Sequence, residues 1–106
     1  MMFLVILRRS GPEYDHSRPL EEQSGWLEHA AFMDGLVEDG VIVLGGLLGD
    51  EVRTAHAVEA ASEDEVRERF AKDPWSGSHL VVESIDLWTI RLHARIAARL
   101  FAPRSP

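Results

Sequence analysis

The stretch Gly25–Glu51, "GWLEHAAFMDGLVEDGVIVLGGLLGDE", decides how this chain is read. Its first half spaces Trp26, Ala30, Met33 and Val37 so that they share one side of a helix. Gly40 stands where that helix stops, because glycine accepts the left-handed backbone that closes a last turn. "VIVL", Val41–Leu44, then reads as a buried strand, and "GGLLGDE" as the turn after it. An amphipathic helix running straight into a buried strand is a step of a layered α+β domain.

Outward from this stretch the rest of the plan follows. "FLVIL", Phe3–Leu7, is a second continuous apolar run and predicts the first strand. "RRSGPEYDHSRPLEEQ" predicts a loop, punctuated by Gly11, Pro12 and Pro19, and the helix is expected from about Glu21 to Asp39. Arg53–Ala60 predicts a third strand. "SEDE" at Ser62–Glu65 is a capping-box signature, opening a helix that ends near Lys72 because Pro74 pushes Asp73 into an extended conformation. Leu80–Ile90 predicts the last strand. The order βαββαβ with a four-stranded antiparallel sheet is the ferredoxin-like, split-βαβ plan.

Residues 1–91 are thus expected to form one domain, followed by a C-terminal helix and tail over 92–106. In "RLHARIAARLFAPRSP", Leu92, Ile96 and Leu100 share one helical face and Arg91, Arg95 and Arg99 another. A basic amphipathic helix suits a membrane surface. Packing on its own or a partner subunit suits this chain better, since anionic lipid would repel the rest of it.

The chain has 106 residues, 18 acidic and 11 basic, for a net charge of -7. That length is one small domain, which buries only about 65% of its unfolded surface. The acidic balance argues against nucleic acid as a partner, because phosphate binding needs a basic surface. No cysteine is present, so neither disulfides nor thiolate metal sites reinforce the core. "MMFLVILRR" carries its charges after the apolar run, the reverse of a secretory signal. No run approaches the roughly 20 apolar residues of a membrane span. A soluble cytoplasmic protein is expected.

One chain is not enough for such a sheet. Two helices cover one face only, and an antiparallel sheet with a wet second face should alternate apolar with polar residues. "FLVIL" and "VIVL" do not alternate. Stacking two sheets face to face in a twofold homodimer buries both faces, giving a dimeric α+β barrel with pockets between sheet and helices or at the subunit junction.

His29 lies on the flank of the helical stripe, next to Leu36, where the helix meets the edge of the sheet. Many boundary histidines are structural, but an imidazole titrates near neutrality, which makes His29 the leading acid–base candidate. Asp34, five residues on and roughly 140° round the helix, cannot serve the same small site. Asp73, in "KDPWSG", stands where a carboxylate opposes the helix dipole. It starts a turn in the bland reading; in the split-βαβ topology it can converge with His29. Asp15, His16 and Arg18 read as a solvated loop that crosses near the start of the first helix. His16, His56, His79 and His93 show no metal-ligand spacing, and "GGLLGD" lacks the spacing of a dinucleotide fingerprint, so no metal and no cofactor are expected.

"EHAAFMDGLVEDGVIVLGG", "DPW" and "LWTI" together resemble the YCII-related proteins, and the front loop "SRPLEEQSGW" is similar to a bacterial branch of that family. The resemblance runs to about Arg91. It implies a ferredoxin-like fold, a dimeric α+β barrel and a histidine–aspartate site in a cleft, with the histidine at His29 and the aspartate at Asp73. The chain departs from the family at Leu47, often proline after Gly-Gly, and at Leu87, often proline before the tryptophan. On this basis a small-molecule pocket with His29 as general acid–base and Asp73 as its orienter is expected. Hydrolysis, isomerisation and ring chemistry all suit such a pair. A non-catalytic ligand-binding or protein-interaction module is the alternative.

Overall fold

The computed structural model describes residues 1–94. Strand β1 spans Met2–Arg8, helix α1 Trp26–Glu38, strand β2 Ile42–Leu47, strand β3 Arg53–Glu59, helix α2 Glu63–Phe70 and strand β4 Val81–Leu87. The strands form one antiparallel sheet in the order β2-β3-β1-β4. The chain is therefore an α+β domain with a four-stranded antiparallel sheet and two helices, compatible with a ferredoxin-like fold. Among the described residues no helix is long and apolar enough to cross a membrane.

The sheet alternates in burial even where its sequence does not. Phe3, Val5 and Leu7 of β1 are buried in a core shared with Leu36 of α1 and with Val66 and Phe70 of α2. Leu4 and Ile6, on the other face of the same strand, are only half-buried. Strand register carries this pattern across: Val5 pairs with His56 and Leu7 with Thr54, so those two β3 side chains also face the helices.

Several boundaries differ from the sequence expectation. The first helix does not run continuously from Glu21. A single 3-10 turn, Leu20–Glu22, is followed by a break, and α1 begins at Trp26 after Gly25 at φ 71°. The break is held by Gln23, only 5% exposed. Its side-chain carbonyl accepts from the Asp15 N–H at 2.8 Å, and its amide donates to the Asp15 and Arg18 carbonyls at 2.6 and 3.1 Å. A glutamine spent on a preceding loop cannot continue as a helix surface residue. Strand β2 continues through Gly45 and Gly46 to Leu47, so the turn begins later. There Asp50 accepts from the N–H groups of Val52 and Arg53, both at 3.0 Å, and pairs with the Arg53 guanidinium at 2.7 Å. These donors hold its carboxyl far below the ordinary carboxylate range.

Helix α2 is capped by Ser62, whose hydroxyl accepts from the Glu65 N–H at 3.1 Å. Glu65 returns a bond to the N–H of Ala61, one residue before the cap, at 2.9 Å. Strand β4 is shorter than Leu80–Ile90, and its register with β1 shifts between Ile6 and Leu7. The expected C-terminal helix begins in irregular chain over residues 92–94, with Leu92 94% exposed; its remainder lies outside the described residues.

Candidate functional site

His29 sits in the first turn of α1, its N–H bonded to the Gly25 carbonyl at 3.0 Å. Trp75 closes the entry to that helix: its indole N–H donates to the Ser24 carbonyl at 2.8 Å. A Cβ on residue 25 would lie 3.2 Å from the indole nitrogen, so this tight approach and the left-handed backbone both call for glycine.

The segment after α2 brings the carboxylate. Asp73 Oδ1 accepts from the Trp75 N–H at 2.9 Å, which turns the side chain back toward α1. Both Asp73 oxygens then lie 2.9 Å from His29 Nδ1. The two residues expected to converge do meet, and both are buried, at 7% and 6% exposure. His29 is thus not a boundary residue. The buried line of α1 runs through His29 and Leu36, with Phe32 and Met33 beside it, while Val37 is 54% exposed. Trp26 and Met33 pack against the core and, with Val37, also face a cavity.

That cavity has a volume of about 500 Å³ and lies between α1 and the β2–β3–β1 part of the sheet. Trp26, His29, Met33 and Val37 line it from the helix, Gly45 and Leu47 from β2, Thr54 and His56 from β3. Asp34 also borders it. The cavity extends along the helix, so bordering it does not bring Asp34 to the His29 end. Asp34 stays on its exposed rim.

An ionised Asp73 accepts from Nδ1–H of His29, which leaves the lone pair on Nε2. Nε2 has no protein partner among the described residues. The ring can therefore accept a proton from a molecule in the cavity, with the resulting imidazolium beside a carboxylate.

His56 is a second imidazole on the same cavity, and sequence reasoning passed it over as a histidine without metal spacing. It is 6% exposed and its Nδ1–H donates to the Val5 carbonyl at 3.3 Å. Its Nε2, too, has no protein partner among the described residues. Burial pushes its pKa below the ordinary 6.5, the Val5 carbonyl opposes that, and the nearby His29 adds to it. Gly45 is its counterpart on β2: a Cβ there would lie 2.7 Å from His56 Cδ2. The available signal was the hairpin, which sets a Gly-Gly pair against the alternating "TAHAV".

The remaining candidates lie elsewhere. Asp15 and Arg18 pair at 3.3 Å in an exposed loop, as the solvated reading expects. Asp15 also accepts from the Ser17 hydroxyl and N–H, which lower its pKa. His16 packs against Tyr14, ring centroids 4.9 Å apart. His79 stacks on Trp75 and bonds the Ser24 and Ser78 hydroxyls at 3.0 and 2.9 Å. Among the described residues no three His, Cys, Asp or Glu side chains gather as a metal site. Comparison with family models, curated proteins and solved structures found no match to the chain.

Proposed function

We propose that this is a YCII-related, cytoplasmic enzyme of small-molecule metabolism in which His29 is the general acid–base and Asp73 fixes its tautomer. The observation that carries the proposal is the buried Asp73–His29 contact at 2.9 Å beside a cavity of about 500 Å³. In this reading Nε2 takes a proton from a substrate C–H or O–H, or from water. Asp73 stabilises the imidazolium formed, and the same nitrogen returns the proton to the product. The working form is a homodimer. In support, Leu4 and Ile6 are half-buried on the face opposite the helices, and Val81 is 43% exposed. A second sheet stacked there would cover them.

A non-catalytic ligand-binding module is a second reading, favoured by the cavity lining. Apart from the two imidazoles it is mostly apolar, with no serine or cysteine nucleophile among its residues. Thermal-shift screening of a metabolite library, followed by product analysis of each hit, separates the two. Turnover lost in His29→Asn supports the enzyme; saturable binding with no product from any hit supports the module.

A further inference from the structure

Arg9 is an unusual cation for this molecule. Arg8, Arg18, Arg53, Arg67 and Arg69 each have a carboxylate oxygen within 2.7–3.7 Å. Arg9 has no such partner among the described residues, although the chain is strongly acidic. It lines the cavity instead. Its guanidinium carbon stands 5.8 Å from the centroid of the Tyr14 ring, a cation–π contact that leaves the N–H fork open.

The Arg9 N–H bonds the Val52 carbonyl at 2.8 Å, and Arg9 follows Leu7 by two residues, so it continues the helix-facing side of β1 past the strand end. The first turn of α1, with His29, stands over this same end of β1, because α1 returns antiparallel to the strand. Asp34 lies about 7.5 Å further along the helix axis, toward the other end. Apart from Thr54 and His56 the rest of the lining is apolar, and Val37 and Leu47 are left 54% and 48% exposed around it.

We propose that the cavity takes a small carboxylic acid with an apolar body, the carboxylate held by Arg9 and the body lying against Trp26, Met33 and Val37. The proposal rests on the reading of this cavity as the functional site and adds the class of its ligand. A carboxylate matches the planar guanidinium fork with two parallel bonds. A more highly charged phosphoryl group would ask for further cations, which the lining lacks. Bound this way, the carbon next to the carboxylate comes near the His29 end of the cavity.

The test is calorimetric titration of the whole chain with 3-phenylpropionate and cyclohexanecarboxylate, with their primary amides, and with phenylphosphonate. The acids are expected to bind at least tenfold tighter than the amides and tighter than the phosphonate. Arg9→Gln should erase that preference and Arg9→Lys keep part of it. Equal affinity for acid and amide, no binding of either acid, a preference for the phosphonate, or an acid preference unchanged in Arg9→Gln would each overturn the assignment. The His29 tautomer in the ligand-free protein tests the dyad without any ligand. A lost acid preference with an intact tautomer therefore refutes the ligand class and leaves the acid–base reading standing.

Discussion

The rings of His29 and Trp75 lie face to face, with centroids 4.1 Å apart and planes 5° from parallel. This stack fixes the plane of the imidazole, and Asp73, at 2.9 Å from Nδ1, fixes its rotation within that plane. The direction of Nε2 is then set before any ligand arrives. Trp75 is itself held, 1% exposed, with His79 stacked on its opposite face at 4.6 Å. A group whose supporting shell is locked in this way loses little freedom on binding, which is what proton transfer requires.

Asp73→Asn should reverse the His29 tautomer. The asparagine oxygen keeps the Trp75 N–H bond, and its NH₂ then faces Nδ1, which must accept instead of donate. Ring ¹⁵N shifts report this directly: Nδ1 protonated in the wild type, Nε2 protonated in the variant. The loss of a charge-assisted buried bond should cost about 1–3 kcal/mol in urea unfolding. A variant ring still protonated at Nδ1 would show that Asp73 does not set the tautomer.

Gly45→Ala should be much more costly than Gly46→Ala. The first places a methyl 2.7 Å from His56 Cδ2, whereas a Cβ at position 46 meets nothing within 4 Å. Overpacking of this kind costs about 1–3 kcal/mol, while the second change should stay within about 1 kcal/mol. Equal unfolding midpoints for the two variants would mean that the His56 ring moves aside freely.

The neutral His56 makes stability depend on pH in a defined sense. Its folded-state pKa lies below the ordinary 6.5, chiefly through burial, so below pH 6.5 the unfolded chain binds the extra proton first. Stability contributed by this group is complete above pH 6.5 and falls as the pH drops from there toward the folded-state pKa. Urea midpoints of wild type and His56→Gln, compared between pH 7.5 and 5, should differ most at the upper end and converge on acidification. A constant gap across that range would remove His56 from the acid response.

Dimerisation through the open face gives opposite outcomes for two neighbouring residues. Val5 has 0% exposure in the helix-side core, so Val5→Asp should abolish folding. Ile6 points to the other face, so Ile6→Asp should yield a folded monomer by circular dichroism and sedimentation equilibrium. A wild-type chain that sediments as a monomer at tens of micromolar would eliminate the proposed dimer.

Much of the architecture was legible in the chain because it rests on local rules. Continuous apolar runs marked the first two strands, helical spacing marked the first helix, Ser62 announced the cap of the second, and the order of elements implied the sheet. His29 and Asp73 were also legible as partners, through the topology that brings the first turn of one helix to the end of the other. Tertiary structure alone decided the rest. A helical stripe is apolar whether it faces core or cavity, and only the placement of α1 over the sheet made Trp26, Met33 and Val37 a wall and His29 a buried residue. Gln23 broke the helix through bonds to a loop eight residues away, which no propensity encodes. His56 joined the cavity because strand register set it opposite a glycine, Gly45, and the space left by that missing side chain exists only once the two strands are paired.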